Sequence, residues 1–201
     1  MIGSCWFAYN APGCFLWADV ESSGRVHVVA DYKFQHLPVE AVATEIHTRT
    51  LHLEVSRLQA IYAAPSMFPK RQTEHGYRTL EPEAPSESFA RFGLPMYPAG
   101  SIETHGWQRV HDYLRLAPDG MPWLTFAPEC RALLRTLPTL TQAKRDPDEA
   151  DGELFAAHAL RILLSARPST FALDARRQKP AFGTIAWLRA RDRKPDGVLA
   201  R

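Results

Sequence analysis

The residues best suited to chemistry are a run of carboxylates, Asp146, Asp148, Glu149, Asp151 and Glu153, and a histidine, His158, that follows it. Hard divalent cations take oxygen ligands, so such a run could hold one loosely; the same composition equally makes a solvated acidic loop. Asp19 and Asp31 add two carboxylates in a region that reads as strands. His158 shares a helix face with Leu154, Arg161 and Ser165 at i−4, i+3 and i+7 spacing. The cysteines are Cys5, Cys14 and Cys130, odd in number, widely spaced and without a CxxC pair. That pattern speaks against a disulfide framework or a structural zinc site and for a reduced, cytoplasmic compartment. Cys5 sits on an apolar strand and reads as a small buried hydrophobe; joined with His158 it would supply two soft-metal ligands, too few for structural zinc. No serine stands in a G-x-S-x-G elbow, and no phosphate-binding G-x-x-x-x-G-K-[ST] run is present, so neither an elbow hydrolase nor an ATPase motor is encoded in these residues.

Composition narrows the class. Hydrophobic residues make up 45% of the 201, enough for a sizeable core, and charged residues 23%. The formal net charge of +2 is too small to mark a nucleic-acid binder by itself. Basic residues do gather late in the chain, at Arg176, Arg177, Lys179, Arg189, Arg191, Arg193, Lys194 and Arg201. They are candidates for phosphate contact, or a solvated tail. The start lacks a basic stretch followed by an apolar one, so no signal peptide is expected, and no apolar run approaches the roughly 20 residues that span a bilayer.

The elements that would position these residues follow from hydrophobic period and turn chemistry. Cys5–Tyr9, Cys14–Val20 and Arg25–Asp31 read as strands joined at Asn10-Ala11-Pro12-Gly13 and Ser22-Ser23-Gly24, an antiparallel meander. Pro38 to about Glu54 has helical period, with Pro38 suited to the first turn. A strand at Leu58–Ala63, a long polar loop over 66–85, a short helix from Pro85 to Phe92 and a strand at Leu94–Tyr97 are expected next. Thr104–Leu116 reads as a helix with Trp107, Val110 and Leu114 on one face. A strand over Pro122–Phe126, a helix over Pro128–Leu137 and a helix over Glu153–Arg167, stopped by Pro168, complete the pattern, with an apolar stretch at Thr184–Leu188 left unassigned. Periodicity alone gives α/β or α+β.

Several segments carry a more specific signal. Asp119-Gly120-Met121-Pro122-Trp123-Leu124-Thr125-Phe126 is followed by Glu129-Cys130-Arg131 and by Leu134-Arg135-Thr136-Leu137-Pro138. Gly106-Trp107-Gln108-Arg109-Val110-His111, the acidic run from Asp146 to Asp151, and Ala159-Leu160-Arg161 with Ser165-Ala166-Arg167-Pro168 complete an ordered set. In order and spacing this set, spread over residues 1 to about 190, resembles the C-terminal nuclease domain of phage and prophage large terminase subunits. The resemblance implies an RNase H-like fold: an α/β mixed sheet in which a three-strand antiparallel meander is followed by parallel strands, flanked by helices. It implies one such domain over residues 1–170 and a basic extension over 171–201 that could pack in part.

Members of that family cut DNA with two Mg²⁺ or Mn²⁺ ions held about 4 Å apart by aspartates. At the matching positions this chain has Cys5, in Gly3-Ser4-Cys5-Trp6-Phe7; Ala64, in Ala63-Ala64-Pro65; and His158, in Ala157-His158-Ala159-Leu160-Arg161. A thiol, a methyl and an imidazole do not cage hard cations. The resemblance therefore implies a domain that has lost its metals and no longer cuts, with no cofactor expected, acting through double-stranded DNA or a packaging ATPase or portal in a bacterial cell. Two other readings stay open: an active nuclease using relocated carboxylates among Asp31, Asp19 and Asp151, and a decayed prophage remnant. Arg176, Arg177 and Lys179 are the candidate nucleic-acid contacts.

Overall fold

Six strands and six helices build three layers in the computed structural model, which describes residues 1–7, 11–55, 57–69, 83–100, 102–139 and 154–177. The acidic run from Asp146 through Glu153, Lys179 and the 184–188 stretch lie outside the described residues. The strands are β1 (Ile2–Trp6), β2 (Gly13–Val20), β3 (Val26–Phe34), β4 (Ile61–Ala63), β5 (Tyr97–Pro98) and β6 (Leu124–Phe126). The helices are α1 (Val39–His52), α2 (Pro85–Arg91), α3 (Ile102–Leu114), α4 (Arg131–Thr136), α5 (Phe155–Ser165) and α6 (Thr170–Arg177).

The sheet order is β5-β4-β1-β2-β3-β6. β1–β2 and β2–β3 pair antiparallel, whereas β4 joins β1, β5 joins β4 and β6 joins β3 in parallel. This is the mixed sheet of the RNase H-like class that the resemblance implied. The β2–β3 half of the meander forms because its turn is short and suitably built. Gly24, in the β2–β3 turn, has φ +89°, a conformation that costs glycine little and other residues more. A parallel partner for β1 needs a crossover, and α1 supplies it between β3 and β4.

Both faces of the sheet are covered, so β1 is buried on both sides. One core contains Cys5, Phe15, Trp17, Phe34 and Ile61 from the strands with Val42, Ala43 and Ile46 of α1 and Phe89 of α2. The other contains Ile2, Cys14, Leu16 and Val28 with Val110 and Tyr113 of α3, Leu133 of α4 and Ala156, Ala159, Leu160 and Leu163 of α5. On α3 it is Tyr113 that is buried, while Leu114, expected on the inner face, is 50% exposed. α6 adds Leu173 to the second core; a Cβ on Gly24 would come within 2.6 Å of this leucine. α5 is buried on every side because it runs between the sheet and α3.

Candidate functional site

In open α/β sheets, ligands sit outside the carboxyl ends of parallel strands. Here those ends belong to β1, β4 and β5, and the register Cys5↔Ala63 and Ala63↔Pro98 places Trp6, Ala64 and Ala99 side by side there. The helix layer adds His158 from α5 and Trp107 from α3 at the same place. His158 stacks on Trp6, with ring centroids 4.5 Å apart and planes inclined by 18°. Trp107 meets the imidazole at 5.8 Å, and the Arg161 guanidinium lies 5.1 Å from the Trp107 ring centroid. His158 and Arg161 are 4% and 7% exposed, while both tryptophans are half-buried. The carboxyl end of β1 thus carries an aromatic and cationic stack, Trp6–His158–Trp107–Arg161.

The local cause is strand alternation. Ser4 and Trp6 point toward α5, and the buried Ser4 hydroxyl donates to the Ala159 carbonyl at 2.9 Å. Cys5, between them, points to the opposite layer, into the core under α1. It is fully buried, and burial drives its thiol well above the ordinary range. Cys5 and His158 are therefore on opposite faces of the sheet and do not form a pair of ligands. Ala64 is buried in the same core as Cys5. Cys14 and Cys130 are also free buried thiols, pushed up by burial, Cys130 to about 12. Thiols so held are neither nucleophiles nor thiolate ligands at neutral pH.

The residual carboxylates are held elsewhere. Asp31 lies inside β3, in the cross-strand row Ser4–Leu16–Asp31 and so roughly 10 Å from β1. Its carboxylate accepts the Leu133 backbone N–H at 3.0 Å and an N–H from Ala132, closing the first turn of α4 from a strand a hundred residues away. Burial raises its pKa, an effect these two N–H groups and Arg49 partly offset. Asp19 is exposed at the amino end of β1, with the Met1 amino group 3.5 Å away. Arg176 and Arg177 form the last turn of α6.

A pair of hard cations does not fit this arrangement. Cys5 faces away, Ala64 offers a methyl, and His158 is stacked beside a guanidinium whose charge repels a dication. Among the described residues, no group of three or more His, Cys, Asp or Glu side chains comes together as metal ligands would. A cavity of about 130 Å³ lies at the opposite, amino end of β4, lined by His47, Arg57, Leu58 and Leu94, away from the aromatic stack.

No family model matches the chain, and no curated protein matches it. Solved structures do. The large terminase of a thermophilic bacteriophage superposes with a TM-score of 0.57 at 12% identity, over 81% of this chain and 39% of that one. This chain has the fold of part of a phage large terminase. The same thermophilic-phage protein in complex with ATP-γ-S gives 0.55 at 11% identity over the same shares. The P22 large terminase nuclease domain aligns over 86% of this chain and 84% of its own, at 11% identity and a TM-score of 0.48. The chain thus spans about two fifths of the length of the thermophilic-phage terminase it matches.

Sequence reasoning named His158 but missed its setting. Trp6, Trp107 and Arg161 were visible only as motif members, and nothing local says that residues about 150 positions apart stack.

Proposed function

We propose that this chain is a terminase nuclease-type domain that serves phage DNA packaging by holding DNA without cutting it. One observation carries the reading: among the described residues, the carboxyl ends of β1 and β4, where open α/β sheets bind ligands, carry the half-buried rings of Trp6 and Trp107 against buried His158 and Arg161, and no cluster of carboxylates. The exposed parts of the two tryptophan rings suit a nucleic-acid strand, because aromatic faces stack on bases, and the buried Arg161 guanidinium adds positive charge behind them. The relation to packaging rests on fold likeness to the thermophilic-phage terminase, and fold alone does not fix function.

Asp19 and Asp31, the relocated carboxylates within the described residues, lie apart from each other and from this end of the sheet, which weighs against an active two-metal nuclease. Plasmid incubation with Mg²⁺ or Mn²⁺ tests the reading: no nicking above the metal-free control is expected, together with duplex binding that weakens as salt rises. Metal-dependent nicking that co-purifies with the chain would sink the non-cutting reading, and absence of binding at low salt would sink the DNA reading.

A further inference from the structure

A second cationic feature lies at the other end of α5. Arg167, just past the helix, lays its guanidinium 5.4 Å from the Tyr62 ring centroid and donates from Nη2 to the Tyr62 hydroxyl at 2.9 Å. The next residue, Pro168, accepts the Tyr113 hydroxyl at 3.0 Å, which holds α3 against this turn. Arg109 precedes Tyr113 by one turn of α3. Burial raises the Tyr113 phenol to about 12, and the charges of Arg109 and Arg167 both draw it back down.

Three polar atoms here are buried without a hydrogen-bond partner: Arg167 Nε, Arg109 Nη1 and Ser165 Oγ. Unmade bonds at buried donors cost free energy. Among the described residues, Asp112, one turn from Arg109 on α3, accepts from Gln108, and the exposed Asp119 pairs with Arg25. Arg109 and Arg167 remain partly exposed, so their charge is reachable from solvent.

We propose that Arg109, Arg167 and Ser165, with the Tyr62 hydroxyl, form a binding site for a phosphate group of a nucleic-acid strand. Forked guanidiniums and a hydroxyl match the oxygens of a phosphate in geometry and charge. The charge is built into the chain, so binding requires no divalent cation. The nucleic-acid source rests on the DNA-holding reading above; the anion site does not.

The experiment is anisotropy of a labelled random-sequence duplex titrated with the full chain in EDTA at several salt concentrations. Arg167→Gln, Arg109→Gln and a triple change of the late basic residues (Arg176→Gln, Arg177→Gln, Lys179→Gln) are run in parallel, each checked for folding by melting. The expected result is wild-type binding in EDTA, a loss on the order of tenfold for Arg167→Gln and Arg109→Gln, and a log–log salt slope shallower by about one per arginine. Should Arg167→Gln lose its fold along with its tie to Tyr62, Arg109→Gln decides, since no hydrogen bond of its guanidinium tip is at stake. Duplex binding that neither single variant weakens overturns the site while leaving the DNA-holding reading intact. If wild type binds no duplex, that reading falls, and inorganic phosphate decides the rest: a rise in melting temperature seen in wild type and absent in Arg109→Gln keeps an anion site, and no rise overturns it.

Discussion

Cys5 occupies a position that leaves no room for charge. Its side chain has 0% exposure and packs with Phe15, Ala63 and Ile46 under α1. Cys5→Asp would bury a carboxylate there with no cation to answer it, at a cost of about 3–5 kcal/mol. Denaturant melts should show this loss in EDTA and little recovery in Mg²⁺, even when Ala64→Asp and His158→Asp are added. A Mg²⁺-induced rise of many degrees in the triple variant would mean that the metal cage survives in the backbone. Asp31 makes a different prediction. Its folded pKa lies above the ordinary 3.8, so the folded chain holds this proton more tightly than the unfolded chain. The stability it contributes is complete below that ordinary value and is lost as pH rises through the raised one. Urea midpoints between about pH 4 and 7 should therefore move in favour of Asp31→Asn over wild type as pH rises. Asp31→Ala, which removes the acceptor from the Leu133 N–H, should cost about 1–2 kcal/mol near pH 4 and less as pH rises.

The elements are tied by a few close approaches that short-range preference does not reveal. Gly13 opens β2 where a Cβ would come within 2.1 Å of the Phe34 ring and 2.8 Å of the Trp6 carbonyl. Gly13→Ala should therefore destabilise the meander by about 1–3 kcal/mol, read from chemical denaturation; a neutral result would mean that Phe34 yields freely. Much of the element order was legible beforehand. The meander, α1, α2 ending before Gly93, α3, β6, α4 and α5 all carry local signals, namely turn residues, a change of period and flanking prolines. Less legible were the lengths. The expected strand at Leu94–Tyr97 is only the two-residue β5, and β1 begins at Ile2, ahead of Cys5. An edge strand and a fully buried central strand leave weak alternation, so their bounds come from pairing partners rather than from their own residues.

For the whole molecule, the question is where the folded unit stops. The sequence suggested residue 170, with a basic extension beyond that could pack in part. α6 begins there, and its Leu173 is 8% exposed and packs over the β2–β3 turn. Relative to a chain ending after Arg177, one ending at Pro168 should lose about 1.5–3 kcal/mol with Leu173. Equal melting of both would show α6 to be dispensable. No helix among the described residues is long and apolar enough to cross a membrane.

Residue types and their order were sufficient for the class of fold, for the resemblance to terminase nuclease domains and for the absence of aspartate at positions 5, 64 and 158. They were sufficient because turn chemistry, period and residue identity are properties of neighbours in the chain. Facing and company were settled in three dimensions. Cys5 and Trp6 are adjacent, yet one enters the α1 core and the other stacks on His158. A central strand with apolar residues on both sides does not say which side meets which helix. That choice is made when Ser4 bonds Ala159, 155 residues away, and the stacking of Trp6 on His158 follows from it.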